Sequence, residues 1–485
     1  MIKILLNILF IFLLLLNGSG QSYRLELLNL NQQRDLQLLT NADSSSSFAV
    51  NSNSISLPQK KDWKKLSFNL LPLIITQQFN TTKPFGWNDG PMIQAKGYQA
   101  LVRPGVNMKY GFFEAQVAPE LVYTNNQAYT KIFPGQSFLK LHMGPISIGV
   151  SSENLWWGPG INSSLLMSNN APGFLHGFIG TNKPIKTPIG HFEFNLIGAR
   201  LNSNKNLTYE NGFIRYGIEN DDWRYQNAYV ISWQPKWVKG LFLGVTRSLQ
   251  QYGQPSFNRT SNLFSKYFPV ILTPTLKINN LGDDTLNRDQ LASFFLRWMF
   301  PKHHAEFYVE YGKNDYGVNI RDYINGPSHS SAYTVGFRKL IPQTEKKYIR
   351  IEAELTQMSQ SPDHLVRDAG NWYVHWQIYQ GYTHYNQILG AGAGFGTNVQ
   401  TFGATFVNGN LRNGFLVQRF EQDPVGKPVK WTDVSIGWMP QWEYKNLFIG
   451  AKLQLIRSNN DGWVKGNNSF NLHSRVMVQY NFNKP

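Results

Sequence analysis

Alternation of apolar and polar side chains with a period of two, repeated along most of the chain, is the feature that most restricts its fold. Near the C-terminus Phe470, Leu472, Ser474, Val476, Val478, Tyr480 and Phe482 alternate with Asn471, His473, Arg475, Met477, Gln479 and Asn481. Between 348 and 356, Ile349, Ile351, Ala353 and Leu355 oppose Arg350, Glu352 and Glu354. In 191–201, Phe192, Phe194 and Leu196 oppose His191, Glu193 and Asn195, and 305–311, 331–340 and 447–457 repeat the pattern. Successive strand side chains point to opposite faces, so each segment has one apolar and one polar face.

Two architectures use such strands. A soluble sandwich buries the apolar faces in a core; a membrane barrel turns them to lipid and lines its lumen with the polar ones. Many strands of about ten residues fit the tilted spans of a barrel. Aromatic residues at strand ends, such as Trp298, Tyr311, Trp438 and Tyr480, fit interfacial girdles. The connections alternate in length. Counting back from the C-terminus, 458–469 is long, 440–444 short, 422–429 longer and 409–411 tight. Further upstream 341–345 is short, 313–330 long, Pro301 tight, 250–289 very long and 235–239 short. Short inner turns and long outer loops are the habit of outer-membrane barrels. The expected fold is therefore all-β, an antiparallel transmembrane barrel of about 18 strands with long outer loops, taking 359–400 as one outer excursion; a further hairpin within it would make 20. Stepping back through these hairpins puts 250–289 and 154–188 outside and 235–239 inside.

Composition agrees. Aromatic content of 14% and 41 glycines suit strands and turns. Mean hydropathy is −0.34, and no internal run is long or apolar enough for a membrane helix; a barrel needs only every second residue to be apolar. The absence of cysteine excludes a disulfide scaffold, a lipoprotein anchor and thiol chemistry. The net charge of +16 is scattered through turns and alternate strand positions. This argues against nucleic acid and fits an acidic glycan or anionic lipid headgroup.

Residues 1–20 form a separate unit. Lys3, the apolar run 4–16 and Asn17-Gly18-Ser19-Gly20 have the order of a secretory signal peptide, with cleavage expected after Gly20. Residues 21–65 are read as a short periplasmic segment, its Leu-rich start compatible with a short helix and its serine run 44–47 with a linker. The barrel is expected over 66–485.

Catalytic templates give little. His303 and His304, adjacent on a strand, would point to opposite faces, which disfavours a shared metal. Asp221-Asp222 and Asp283-Asp284 read as solvated loop charges. Glu352 and Glu354 share a face and could serve glycoside hydrolysis, but Arg350 beside them favours a salt-bridged lumen wall. Neither a metal nor any other cofactor is expected.

The unusual segment is Glu153-Asn154-Leu155-Trp156-Trp157-Gly158-Pro159-Gly160, followed by Ser164-Leu165-Leu166-Met167-Ser168-Asn169-Asn170-Ala171-Pro172-Gly173. Two adjacent tryptophans cannot both face lipid on a strand. Aromatic faces beside Asn154, Ser168, Asn169 and Asn170 suit carbohydrate, whose C–H faces stack and whose hydroxyls need donors and acceptors. The competing reading is that the pair packs a loop into the lumen.

The runs 154–160 and 164–173 resemble the signature of the capsule assembly Wzi family. Gly86-Trp87-Asn88-Asp89-Gly90, Pro119-Glu120 and Tyr382-Thr383-His384-Tyr385-Asn386-Gln387 are similar to blocks of its Bacteroidetes-type members. The resemblance covers about 63 to the C-terminus. It implies an outer-membrane barrel that binds capsular or surface polysaccharide, with outer-membrane lipid around it, glycan export machinery as a further class of partner, and no catalytic residues. Trp156, Trp157, Asn154, Ser168, Asn169, Asn170, Tyr385 and Asn386 are the binding candidates. A porin-like diffusion channel is the alternative, and a membrane-embedded hydrolase a third reading.

Overall fold

The computed structural model describes residues 26–41, 44–52, 66–125, 129–203, 223–253, 263–271, 288–314, 328–360, 370–375 and 378–482. The signal-peptide segment, its cleavage point and both Asp-Asp pairs lie outside these residues.

Alternation becomes strand wherever the sequence shows it. In chain order the barrel strands are β1 (Ser67–Leu70 and Leu73–Asn80), β2 (Gly97–Arg103 and Val106–Tyr110), β3 (Phe113–Val117 and Glu120–Thr124), β4 (Lys131–Phe133 and Phe138–Met143), β5 (Ile146–Ser151) and β6 (His176–Thr181 and Ile185–Thr187). Then come β7 (Gly190–Leu201), β8 (Arg224–Pro235), β9 (Leu241–Tyr252), β10 (Asp289–Phe300), β11 (Ala305–Asn314) and β12 (Ser331–Thr344). The last are β13 (Lys347–Gln357), β14 (Thr397–Asn408), β15 (Leu411–Gln422), β16 (Trp431–Tyr444), β17 (Leu447–Asn459) and β18 (Ser469–Tyr480). Each pairs antiparallel with the next, and β18 returns to β1 from Tyr480↔Leu73 to His473↔Asn80, closing the ring.

The four strands drawn in two pieces at the start of the ring share one cause. β1 breaks at Leu71-Pro72, β2 at Pro104-Gly105, β3 at Ala118-Pro119 and β4 at Pro134-Gly135. Proline cannot donate to the ladder, so neighbouring strands are interrupted at neighbouring places. Gly135 sits at φ +62°, and a Cβ there would come 2.3 Å from the Ala118 carbonyl oxygen. Only glycine lets β3 and β4 stay paired across this seam.

All short turns lie at one end. The long connections lie at the other, as expected from the parity of the hairpins. Two turn boundaries need correction: 440–444 belongs to β16, and the 341–345 stretch runs mostly within β12, so the turns are 445–446 and 345–346. Pro342 and Pro440 invite a turn, but each sits where the pairing is irregular, so no ladder donor is lost. The segment 154–188 is not one outer loop either. Its second part, from His176, is β6, paired with β5 and β7.

Outward positions carry exposed Phe294, Phe307, Phe402, Val417, Ile436 and Leu455. Trp298, Tyr311, Trp438 and Tyr480 are exposed on the same surface. An apolar exterior around buried Gln, Arg and Glu positions is the inverse of a water-soluble protein and marks a membrane-spanning barrel.

The lumen is occupied from both ends. Helix α1 (Glu26–Thr40) enters from the short-turn end. Its Leu38 packs with Phe242, Met299, Leu340, Tyr348 and Val407. Arg34 pairs with Glu306 at 2.8 Å, and Asp35 accepts from Arg338 and Arg350 at 3.0 Å each. The short helix expected at the Leu-rich start of the 21–65 segment is thus present at Glu26–Thr40, and it lies inside the barrel wall rather than in a free periplasmic segment. The reason is physical: the wall presents Arg297, Arg338 and Arg350 inward, and a helix carrying Asp35 and Gln37 satisfies them.

From the other end, 152–175, 370–375 and 378–396 fold inward. Leu155, Trp157, Leu165, Leu166, Met167, Trp372, Tyr373 and Tyr382 form one buried cluster with Ala228, Val230, Leu291 and Phe295 of the wall. Short pairs within the plug join Val50–Ser52 to Leu155–Trp157 and Thr383–His384 to Gln387–Ile388.

Candidate functional site

Loop 152–175 is held by carboxylates of the wall. Glu354 accepts the Ile161 and Asn162 amides at 2.7 and 3.0 Å and the Tyr308 hydroxyl at 2.7 Å. Glu310 accepts the Leu165 amide at 3.1 Å, and Glu153 pairs with Lys140 at 2.7 Å. Glu352 instead pairs with Arg350 at 3.2 Å and Arg338 at 3.6 Å. Glu352 and Glu354 thus brace the lumen, as Arg350 suggested. His304 does the same for α1, its Nδ1 lying 2.8 Å from the Leu38 carbonyl oxygen.

Most of the candidates read from sequence serve this plug. Trp156 is 3% and Trp157 0% exposed, so neither offers a face for stacking a sugar. Trp156 donates through Nε1 to the Gly160 carbonyl at 3.1 Å. Asn154 joins Gln136 and Ala171 at 2.7 Å each. Ser168 donates to the Gly390 carbonyl and Asn170 to that of Ile388, stitching the two inward loops together. The exposed Trp platform is therefore corrected to a packing role, because Gly158-Pro159-Gly160 folds the chain back over the indoles. Tyr385 and Asn386 stand at φ 48° and 64° in the tip of the small hairpin. The Tyr385 ring meets Phe133 edge-on at 5.4 Å, with Lys131 Nζ 4.8 Å from its centroid. Next to it His384 is buried and takes the Asn202 amide on Nδ1 at 3.1 Å. Burial, with the Arg224 charge adding, pushes its pKa down to about 3.

Tyr385, Asn386 and Asn169 are half-buried, and of these Asn169 faces a cavity. This residue lines a chamber of about 290 Å³ between loop 152–175, the 87–91 turn, α1 and the wall. Trp87, Asn88 and Asp89 form its roof with Asn162 and Asn169, while Lys452 and Arg475 project from β17 and β18. Gly403, Gly414 and Gly450 leave the wall free of bulk there.

The roof is built by local backbone chemistry. Gly86 and Gly90 stand at φ +113° and +62°, and Asn88 at 60°, so Gly86-Trp87-Asn88-Asp89-Gly90 makes a reversal that few other residues could follow. Asn88 donates to the Asn162 carbonyl at 2.7 Å, and the Gly90 amide to that of Asn169 at 2.7 Å. Trp87 packs 5.4 Å from Phe85 and 5.3 Å from Phe420 yet stays half-buried, with Lys452 Nζ 5.9 Å from its ring. Asp89 pairs with Arg475 at 3.0 Å. An indole edged by amides, two cations and a carboxylate can stack an apolar sugar face and bind its hydroxyls. These residues were missed as a site. The signal was a tryptophan between two glycines, and a lone lysine on the polar face of an aliphatic strand.

Fold and chamber together define a class: a membrane-spanning antiparallel barrel, closed by its own helix and loops around a polar, aromatic-edged cavity. A family model described as capsule assembly protein Wzi matches residues 76–448, and the chain belongs to that family. Among solved structures it is similar to Wzi of Escherichia coli, described as an outer-membrane protein involved in group 1 capsule assembly and a carbohydrate-binding β-barrel. The TM-score is 0.62 at 12% identity over 84% of each chain. It also matches OpdQ of Pseudomonas aeruginosa with a TM-score of 0.46 at 9% identity, over 85% of this chain and 97% of that one. No curated protein matches the sequence.

Proposed function

We propose that this chain is a non-enzymatic outer-membrane protein of capsule assembly that binds a surface polysaccharide. The observation that carries the reading is the chamber edged by Trp87, Asn88, Asn162 and Asn169 in a barrel of this family. Its polar groups are suited to holding sugar hydroxyls. The carboxylates that line the chamber, Asp89, Glu120 and Glu352, are each paired with an arginine, which leaves them poorly placed for hydrolysis. A lumen filled by α1 and two loops favours retention of glycan over free diffusion.

The test is to fractionate cells, then present the detergent-solubilised barrel to an array of bacterial surface polysaccharides and measure its conductance in planar bilayers. Outer-membrane recovery, saturable binding to a subset of glycans and no steady conductance are expected. Steady conductance without binding to any glycan would replace this reading with the channel. Recovery as a soluble periplasmic protein would remove both.

A further inference from the structure

On β8 to β10 the alternation of burial fails near the long-loop end. The outward row of β8 is Tyr225, Asn227, Tyr229, Ile231 and Trp233. Ile231 is exposed, as lipid-facing positions are, but Asn227 is fully buried. On β9 Val245 is exposed while Leu249 and Gln251 are buried, and on β10 Phe294 is exposed while Gln290 is buried. Four residues separate Asn227 from Ile231, or roughly 13 Å along a strand. A few residues beyond the apolar belt, something therefore covers the outside of the wall.

The cover is segment 263–271, from the long loop between β9 and β10. It begins with the short helix Leu263–Tyr267. The Val270 amide donates to Asn227 Oδ1 at 3.1 Å, and its carbonyl accepts from Arg247 Nη1 at 3.0 Å. Arg247 also donates to Gln290 Oε1 at 2.7 Å. The Tyr225 hydroxyl donates to the Tyr267 carbonyl at 2.6 Å, the two rings meeting edge to face. Polar outward groups that would otherwise face hydrocarbon are satisfied by this backbone. Val270 is turned inward and buried, whereas Leu263, Phe264, Phe268 and Ile271 are exposed, and so in part is Tyr267 beside the Tyr225 ring.

We propose that segment 263–271 is a lipid-facing flap, lying against the barrel exterior and seating these five side chains in the outer leaflet at its headgroup–acyl boundary. Two observations commit the surface to lipid. It continues, strand for strand, the apolar belt formed by Ile231, Val245 and Phe294. It also replaces a polar stretch of wall with an apolar one, which has no use against water. Lys266, half-buried in the same turn, is placed to reach anionic headgroups.

The chain has no cysteine, so single labels are clean. Phe264→Cys and Phe268→Cys are labelled with a nitroxide, reconstituted in phosphatidylethanolamine–phosphatidylglycerol vesicles, and probed with oxygen and a water-soluble nickel chelate. Phe294→Cys reports the belt and Lys346→Cys the aqueous short turn; heat-modifiable migration shows that each variant is folded. The flap predicts oxygen-to-nickel accessibility ratios near that of Phe294→Cys and several-fold above that of Lys346→Cys. Ratios matching Lys346→Cys would mean that the segment stands in water. Low accessibility to both reagents would mean that protein covers it. Either result overturns the proposal.

Discussion

The two halves of the lumen are built from the same inward-facing kinds of residue and end in opposite states. Along β7 to β12 the described inward side chains are tightly packed, and none of them lines the chamber. A Cβ on Gly336 would come 2.0 Å from the Tyr308 ring, and one on Gly312 would come 2.7 Å from Trp372, so the glycines are there to admit aromatic side chains. Glu306 is met by Arg34 at 2.8 Å, Arg297 at 2.5 Å and Arg338 at 3.7 Å, all fully buried. Around the chamber Gly403 of β14, Gly414 of β15 and Gly450 of β17 line the wall instead, and the Arg475 guanidinium keeps 31% of its exposure. Polarity alone does not decide whether a barrel interior is filled; the presence of inward loops with matching groups does.

The sharpest way to break this contrast is to remove one charge or one large ring from each half. Glu306→Ala leaves buried guanidiniums uncompensated and should cost about 3–5 kcal/mol. Trp157→Ala should cost about the same through the cavity it opens. Arg475→Gln, in the open half, should cost less than either, about 1 kcal/mol, because Arg475 is itself partly exposed and Lys452 stays beside Asp89. Urea midpoints of the reconstituted barrels measure all three. Equal losses would mean that the halves are not different in kind.

A second test compares the two faces of one strand. Ile351 points outward from β13 and Glu352 inward. Ile351→Arg should destabilise by about 2–4 kcal/mol near the membrane midplane, while Glu352→Gln should assemble far better. Equal yields of assembled protein would reverse the two faces.

Acid offers a third route into the closed half. His384 is neutral in the fold, with its pKa near 3 against an ordinary value near 6.5. The unfolded chain binds the proton first, so stability contributed by the neutral ring is fully present above about pH 7 and falls as pH drops toward 3. At pH 5 the loss is about 2 kcal/mol, being some 1.5 pH units at 1.36 kcal/mol each. His384→Asn keeps an acceptor for the Asn202 amide but cannot titrate. Its unfolding midpoint should shift less between pH 7.5 and 5 than that of the parent. Identical shifts would exclude His384 as the origin.

Much of this architecture was legible because lipid enforces it. Ile349, Ile351 and Leu355 must face outward together, and that leaves a periodic trace. The contents of the lumen leave none. The buried face of α1 is Arg34, Asp35, Gln37 and Leu38, which reads as a solvated face until the wall that meets it is known. Trp156 and Trp157 were correctly singled out as unusual, yet a sequence cannot show that the turn after them folds back over their rings. Trp87 stood in plain view within a glycine-bounded run, and its value as a site depends on Lys452 and Arg475, several hundred residues away.

The smallest predicted effect bears most directly on function. If the chamber holds glycan, Trp87 provides its stacking face, and Trp87→Ala should weaken binding to whichever polysaccharide the array identifies. Stacking a sugar ring on an indole removes apolar area from water at roughly 25 cal/mol per Å². The loss should be about 1–2 kcal/mol, or five- to thirtyfold in affinity. The unfolding midpoint should change little, because Trp87 is half-buried, and Trp87→Phe should recover part of the affinity. Trp157→Ala gives the mirror image: lower stability, with affinity per folded molecule unchanged. Measuring both quantities on the same preparations separates the roles. If Trp87→Ala binds normally and Trp157→Ala does not, the site lies in the closed half, and the comparison between the two halves is drawn the wrong way round.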